Sequence, residues 1–421
     1  MWENKEGVST NIAPTRTAWM RLKEYTRDEG LDIIACASAP GRVDFLNTHQ
    51  DYKGLPVVPI AINMRVYACA VEELGDRFIV ESLDLRSIEE FPINELGYSG
   101  GFGDYLKACV AVLREYMGVP VAGYRVIISS DIPVGGGMGS SGALEVCFIK
   151  LLASLLGVDL GPDKLAEMAF QAENRKLGVP CGRLDQYASS YGGVILLHPK
   201  PPVRVERLGC PPLDILVVDS GIRHKTKTIH SERRKEIMEG VSQLLCMDLP
   251  KKLREKLQGG IEEIMWWRIR EEELNPYINW IEEKYARRII FTIRMNRLTE
   301  IAVKILKNEG ISRAEYEYLC GLGMCKENRE EILMFIVNKQ HELLRDLYNV
   351  SLPKIEDIIQ SAISAGARAA KISGAGLGGC IIVFVEKEKI DDVSEACMNA
   401  GAKNIWHVNV DVGARLETMG G

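Results

Sequence analysis

Pro133-Val134-Gly135-Gly136-Gly137-Met138-Gly139-Ser140-Ser141-Gly142-Ala143-Leu144-Glu145 is the stretch on which the reading of this chain turns. It lies between a predicted strand, Tyr124 to Ser130, and a predicted helix, Gly142 to Leu156. Three successive glycines and a fourth at 139 strip the turn of Cβ atoms. Backbone N–H groups can then close on a polyphosphate, and the helix N-terminus adds its positive dipole end. Ser140 and Ser141 stand where a helix cap or a Mg2+ ligand is expected. A flexible turn with serine caps has the same signature, and no Gly-Lys-Ser/Thr follows at Walker A spacing.

Outward from this loop, a mixed α/β layer is predicted. Thr15 to Glu29 carries Trp19, Met20, Leu22 and Tyr25 at helical spacing, and Ile33 to Ala39 reads as a strand. Short β-rich segments follow at Val57 to Ile62, Val66 to Val71 and Phe78 to Glu81, and a further strand at Gly193 to Leu197. Helical patterns at Tyr105 to Tyr116 and Pro162 to Leu177 interleave with them, and a first domain over residues 1–205 results. From His230 to Tyr348 the chain is charged and amphipathic, a helical block with long patterns at Trp280 to Leu306 and Arg329 to Leu347. Pro353 opens a helix to Ala365. Strands at Ala369 to Ile372, Cys380 to Val385 and Trp406 to Val410, with a helix at Ile390 to Asn399, then predict a ferredoxin-like layer. The expected class is α+β, with a second domain over residues 206–421.

At 421 residues the chain calls for two or three packed units, and 46% apolar with 26% charged residues excludes disordered and collagenous classes. A net charge of −6 gives no general reason to expect nucleic acid or an anionic membrane as partner. Met1 to Gly7 is polar where a secretory signal needs a basic start and an apolar run, and no stretch approaches the roughly 20 apolar residues of a spanning helix. Eleven scattered cysteines, without a CxxC pair, point to buried thiols in a reducing cytoplasm and away from disulfides or a structural metal.

Two other segments carry chemistry. Ala39-Pro40-Gly41-Arg42-Val43-Asp44-Phe45-Leu46-Asn47-Thr48-His49-Gln50-Asp51-Tyr52 sets arginine, histidine and aspartate close together after a strand, where they can converge on a polar ligand or simply be solvated. Ser373-Gly374-Ala375-Gly376-Leu377-Gly378-Gly379-Cys380 falls between two short strands, and by itself a hairpin turn explains it equally well.

Read together, Pro-Gly-Arg with His-x-Asp-Tyr, Pro-x-Gly-Gly-Gly-x-x-Ser-Ser and Gly-Ala-Gly-x-Gly-Gly resemble the GHMP small-molecule kinases, and among them the galactokinases. Gln171-Ala172-Glu173, Pro180-Cys181-Gly182-Arg183-Leu184-Asp185-Gln186, Asp219 to His224 and His341 to Ser351 are similar to further elements of that family, in the same order. The resemblance implies the two-domain GHMP kinase fold and a sugar 1-kinase that uses ATP and Mg2+. Gly135, Gly136, Gly137, Gly139, Ser140 and Ser141 would wrap the ATP phosphates, and Ser141 with Glu173 would hold Mg2+. Asp185 would be the catalytic base, with Arg42 beside it. Arg42, Thr48, His49, Asp51, Gly182 and Asp185 would line the sugar site, and Gly374, Gly376 and Gly378 would form the C-terminal glycine loop. Without the family pattern, Glu173 reads as a surface charge and Asp185 as a helix-capping aspartate.

One departure bears on the substrate. Galactokinases carry Gly-Glu-His where this chain has Asn47-Thr48-His49, and the missing glutamate is the family's contact to the C6 hydroxyl of galactose. The expected substrate is therefore galactose or a relative altered at C6, such as galacturonate. The family's sugar-pocket tyrosine is also absent, with His230 or Ser231 standing nearby. A non-catalytic sugar and ATP sensor on the same fold, or a GHMP kinase for another small alcohol, are the competing readings. The retained Arg42, Glu173 and Asp185 favour chemistry. The oligomeric state is left open.

Overall fold

The computed structural model describes residues 17–94, 97–118, 121–133, 135–223, 226–324 and 326–418. Met1 to Gly7, Thr15, Val134, His224 and Cys325 lie outside the described residues. Helix α1 (Ala18–Asp28) is capped by the Thr17 hydroxyl, which accepts from the Met20 N–H. Strand β1 (Ala35–Leu46) does not stop at Ala39 as expected. It runs on through Pro40, Gly41 and Arg42, with every residue from Cys36 onward buried. A register shift at Pro40/Gly41 lets the proline sit in the strand.

The two strands expected around residues 57–71 are one, β2 (Val58–Gly75). Only Asn63 breaks its buried run from Val58 to Val71, and the Asn63 side chain accepts from the Asn409 N–H of the C-terminal tail. After β3 (Arg77–Ser82) comes β4 (Ser87–Pro92), which the sequence did not signal because its Ser-Ile-Glu-Glu run is mostly solvated. Then follow α2 (Gly103–Met117), β5 (Gly123–Ser130), α3 (Ser140–Leu155), α4 (Pro162–Gln171), α5 (Leu184–Tyr191), β6 (Val194–His198) and β7 (Arg204–Leu208). Helix α3 is apolar on nearly every side, as a helix sandwiched between a sheet and other helices must be. The α4 pattern ends earlier than expected, and Ala172–Lys176 forms a π-helical turn.

Strand β8 (Asp214–Asp219) opens the second sheet. A long crossover carries α6 (Thr226–Leu245), α7 (Lys251–Leu257), α8 (Glu271–Ile278), α9 (Glu283–Leu306), α10 (Arg313–Gly321), α11 (Arg329–Asp346) and α12 (Pro353–Ser364). Strands β9 (Ala369–Ser373) and β10 (Cys380–Val385), helix α13 (Ile390–Asn399) and strand β11 (Asn404–Val408) complete the layer. Its order, β11-β8-β10-β9 and antiparallel throughout, is ferredoxin-like, with the helical block inserted into the first crossover.

The chain then turns back. Strand β12 (Arg415–Leu416) pairs with β1, so the larger sheet runs β12-β1-β2-β5-β3-β4, with β6 and β7 attached at β2. Arg65, buried in β2, holds this tail through Asp411 at 2.7 Å. The division expected after residue 205 falls inside β7, and residues 409–418 pack on the first sheet. Phe45 of β1 meets Phe384 of β10 at 5.1 Å between ring centroids, so β1 is the seam between the two layers.

One cysteine expectation is corrected. Cys36 and Cys69 face each other across β1 and β2 and are disulfide-bonded. Cross-strand register decides this pairing, and a spacing of 33 residues in sequence does not reveal it. Among the described residues the other eight cysteines are free thiols, and no helix is long and apolar enough to cross a membrane.

Candidate active site

A cavity of about 500 Å³ opens at the seam and is lined from both layers. Arg42 stands at its centre, 7% exposed on β1. Its Nε and Nη2 donate to Asp185 Oδ1 at 2.9 and 2.6 Å, and its Nη1 donates to the Gly137 carbonyl at 2.5 Å. Burial by itself would lower the guanidinium pKa, but Asp185 and Asp44 beside it raise it. Asp185 is the second residue of α5, preceded by the N-cap Arg183, so it does not cap the helix.

The glycines of the first loop make room for this pair as much as for a ligand. A Cβ on Gly139 would lie 3.2 Å from Arg42 Cγ and 3.4 Å from Asp185 Cγ, and one on Gly142 would lie 2.7 Å from Asp185 Cβ. Gly41 answers from β1, where a Cβ would meet Ile132 Cδ1 at 2.9 Å and the Met138 carbonyl at 3.0 Å. The N-cap of α3 is Gly139 and makes no side-chain cap bond, so neither serine is the cap. Gly135, Gly137, Gly139, Ser140 and Ser141 all face the cavity, and the uncapped first turn of α3 adds unsatisfied N–H groups there. Beyond them the cavity is walled by Val66, Ile128, Ile132 and Leu144, an apolar slot.

On the other side lies a polar half. Asn47 and His49 both hold positive φ, 64° and 67°, a conformation that side chains rarely adopt outside constrained sites. The second glycine loop holds His49 and Asp44, whereas the Asn47 N–H donates to Gln340 Oε1 at 3.0 Å. His49 Nε2 lies 3.0 Å from the Ala375 carbonyl, and Asp44 Oδ2 accepts from Gly374 N at 3.2 Å. Asp51 is pressed on Gly182, where a Cβ would fall 1.6 Å from Asp51 Oδ2. Burial and then Asp44 raise the Asp51 carboxyl from 3.8 to about 6. His230 lines the cavity, its ring 5.1 Å from His49 and 5.2 Å from Tyr52. Burial pushes both imidazoles down, His230 to about 4, so both are neutral.

Profiles of known families match three parts of the chain: GHMP kinases N terminal domain over residues 104–193, GHMP kinases C terminal over 325–403, and the galactokinase galactose-binding signature over 23–71. This chain belongs to the GHMP kinases. It is galactokinase-like among them, and so a phosphotransferase. The galactokinase of Pyrococcus furiosus is 27% identical over 364 residues, 86% of this chain and 91% of that one. That of Roseiflexus sp. is 28% identical over 376 residues, 88% of each chain. In fold, it is similar to Lactococcus lactis galactokinase complexed with galactose, with a TM-score of 0.76 at 21% identity over 95% of this chain and 100% of that one. It is also similar in fold to the mevalonate kinase of Methanococcus jannaschii, with a TM-score of 0.64 at 18% identity over 90% of this chain and 99% of that one.

In this GHMP kinase Glu173 is no surface charge. It is 5% exposed, sits on the π-helical turn and accepts from Gln186 Nε2 at 2.6 Å. Burial and then Asp185 raise its pKa from 4.5 to about 7, opposed by hydrogen bonds from Ser141 and Cys181. A hydroxyl and a carboxylate beside a phosphate-shaped loop are hard oxygen donors of the kind Mg2+ takes. Among the described residues no cluster of three His, Cys, Asp or Glu side chains offers a self-sufficient metal cage. That combination fits an ion shared with phosphate oxygens.

Gly376 and Gly378 serve the second loop itself. Both hold positive φ, 79° and 138°, and a Cβ on Gly376 would lie 2.5 Å from the Val350 carbonyl. The loops also touch each other, since a Cβ on Gly374 would lie 3.0 Å from the Gly137 carbonyl. Two groups escaped the sequence reading. Asp44 lines the cavity with Oδ1 buried and, among the described residues, without a hydrogen-bond partner. Lys371 is fully buried and donates to Thr48 Oγ1 at 2.8 Å. The available signal was a charge between apolar neighbours, in Val43-Asp44-Phe45 and in Ala370-Lys371-Ile372.

Proposed function

We propose that this protein is an ATP- and Mg2+-dependent sugar 1-kinase, transferring the γ-phosphate to the anomeric hydroxyl of galactose or of a close relative altered at C6, with galacturonate the first candidate. The observation that carries the reading is the Arg42–Asp185 pair, held at 2.6 Å where the glycine-walled half of the cavity meets the polar half. Phosphoryl transfer asks mainly for positioning and for charge to meet charge, and these residues are disposed for both.

Asp185 accepts the proton of the anomeric hydroxyl as that oxygen attacks, and Arg42 stabilises the charge developing on it. The Gly135 to Ser141 backbone and the α3 N-terminus hold the phosphates of ATP, and the apolar slot takes the base. Ser141 and Glu173 would hold Mg2+, which supplies charge neutralisation at the phosphate oxygens. His49 and Asp51 hydrogen-bond sugar hydroxyls, Gly182 lets Asp51 approach, and His230 packs where the family carries a tyrosine.

ADP release, coupled to an optical readout, tests the reading with galactose, galacturonate, hexosamines and pentoses in parallel. Turnover with a hexose or hexuronate is expected. Stoichiometric binding of sugar and nucleotide without ADP release would replace the enzyme by a sensor.

A further inference from the structure

Lys371 is a charge buried without an obvious reason. It lies in the middle of β9, is 0% exposed, and forms no ion pair within 4.0 Å among the described residues. Its three ammonium protons are all used. They go to the Asp44 carbonyl at 2.8 Å, the Ile372 carbonyl at 2.9 Å and Thr48 Oγ1 at 2.8 Å. Burying an ammonium among neutral acceptors costs several kcal/mol as an order of magnitude, and a fold can avoid that cost with a leucine. Such a group is kept where its charge is used.

Of the three acceptors two are backbone carbonyls, and only that of Thr48 is a side-chain atom, on a residue that lines the cavity. A hydroxyl has one proton and two lone pairs, and one lone pair here is taken by Lys371. Its proton has no acceptor among the described residues, and the side chain faces the sugar half. An ammonium behind the oxygen withdraws electron density from it, which makes the O–H a stronger donor and the oxygen a weaker acceptor. Thr48 occupies the position from which the sugar's C6 group is read, on the reading proposed above.

We propose that Lys371 is a specificity-determining positioning residue. Through Thr48 Oγ1 it backs the hydroxyl with a positive charge, so that this end of the pocket donates to an acceptor and prefers an anionic C6 carboxylate to a neutral C6 hydroxyl. The adjacent carboxylates do not defeat it. Asp44 is tied at Oδ2 to Gly374 N, and its Oδ1 lies 3.4 Å from Arg42 Nε. Asp185 is paired with Arg42 at 2.6 Å, and Asp51 lies close against Gly182.

The test is the ratio of kcat/KM for galacturonate to that for galactose, measured in wild type, Lys371→Met, Thr48→Val and the double variant, each checked for an unchanged melting profile. Removing the charge should lower that ratio by about 10- to 100-fold, mostly through the KM for galacturonate, the scale of one charge-assisted hydrogen bond. Thr48→Val should lower it comparably, and the double variant should lose no more than the larger single effect, because both substitutions break one chain of contacts. A packing role for Lys371 would slow both sugars equally. An unchanged ratio in Lys371→Met, or in Thr48→Val should the methionine variant fail to fold, overturns the inference and leaves the sugar-kinase reading intact. A wild type that turns over neither sugar overturns that reading, and this inference with it.

Discussion

The two glycine loops are nearly alike in composition and differ in what they hold. Gly135 to Gly142 makes room for the Arg42–Asp185 pair and leads into the open end of α3. Ser373 to Gly379 grips Asp44 and His49, with Ser373 Oγ on the Asp44 N–H at 3.0 Å and the Ala375 carbonyl on His49. On the proposed function one loop serves the phosphate end of the cavity and the other the sugar end, and they touch at Gly137 and Gly374. A glycine cluster in sequence thus says that backbones come close, and only the neighbours say to what.

The sharpest way to break this division is at the pair that the first loop surrounds. Asp185→Asn keeps the shape and removes the base, so kcat should fall by about 10² to 10⁴ with the KM for ATP nearly unchanged. A loss smaller than tenfold in single-turnover kinetics would leave Arg42 and positioning as the whole catalytic device.

Alanine at Gly137 and at Gly376 compares the loops directly. Both sites hold positive φ, 74° and 79°, so each variant carries about 1 kcal/mol of backbone strain. At Gly137 the new Cβ stands 3.3 Å from the Ser373 carbonyl, a contact that small shifts relieve, and it faces the phosphate side. The KM for ATP should rise by about tenfold for lost backbone approach, with the melting temperature little changed. At Gly376 the Cβ falls 2.5 Å from the Val350 carbonyl and 2.7 Å from Val350 Cβ. There the loss should be in stability, about 1 to 3 kcal/mol by denaturant titration, with sugar KM affected before ATP KM. The reverse pattern would exchange the roles assigned to the two loops.

The smallest expected effect is on pH. The Glu173 pKa is raised from 4.5 to about 7, chiefly by burial, so the folded protein holds this proton more tightly than the unfolded chain does. Its stabilising contribution is complete below pH 4.5 and is lost as pH rises towards 7, in a linkage of the same sign as that of Asp51. Glu173→Gln should flatten the fall in stability over that window, measured as the difference between wild type and variant. A difference that grows in the opposite direction would mean that Glu173 is not desolvated behind the first loop.

Much of this was legible along the chain. Helices such as α11, α12 and α13 emerge from their apolar periodicity and from proline at a first turn, which are local properties of backbone and side chain. The ordered motifs from Pro40 to Cys380 assigned the kinase family, and Thr48 marked the departure at the sugar end. Local signals failed where both faces of an element are covered. Strand β1 is buried throughout, so its arginine and aspartate read as a loop. The return of β12 to β1 and the Cys36–Cys69 pair were invisible because they depend on register between distant segments. Asp185 and Arg42 stand 143 residues apart in sequence, and Thr48 and Lys371 stand 323 apart. The family resemblance nominated the residues in the first pair, but a buried lysine matters only through what its charge touches. Tertiary packing alone decided that Lys371 reaches Thr48, because in a low-dielectric seam every ammonium proton must find an acceptor and the fold determines which ones are there.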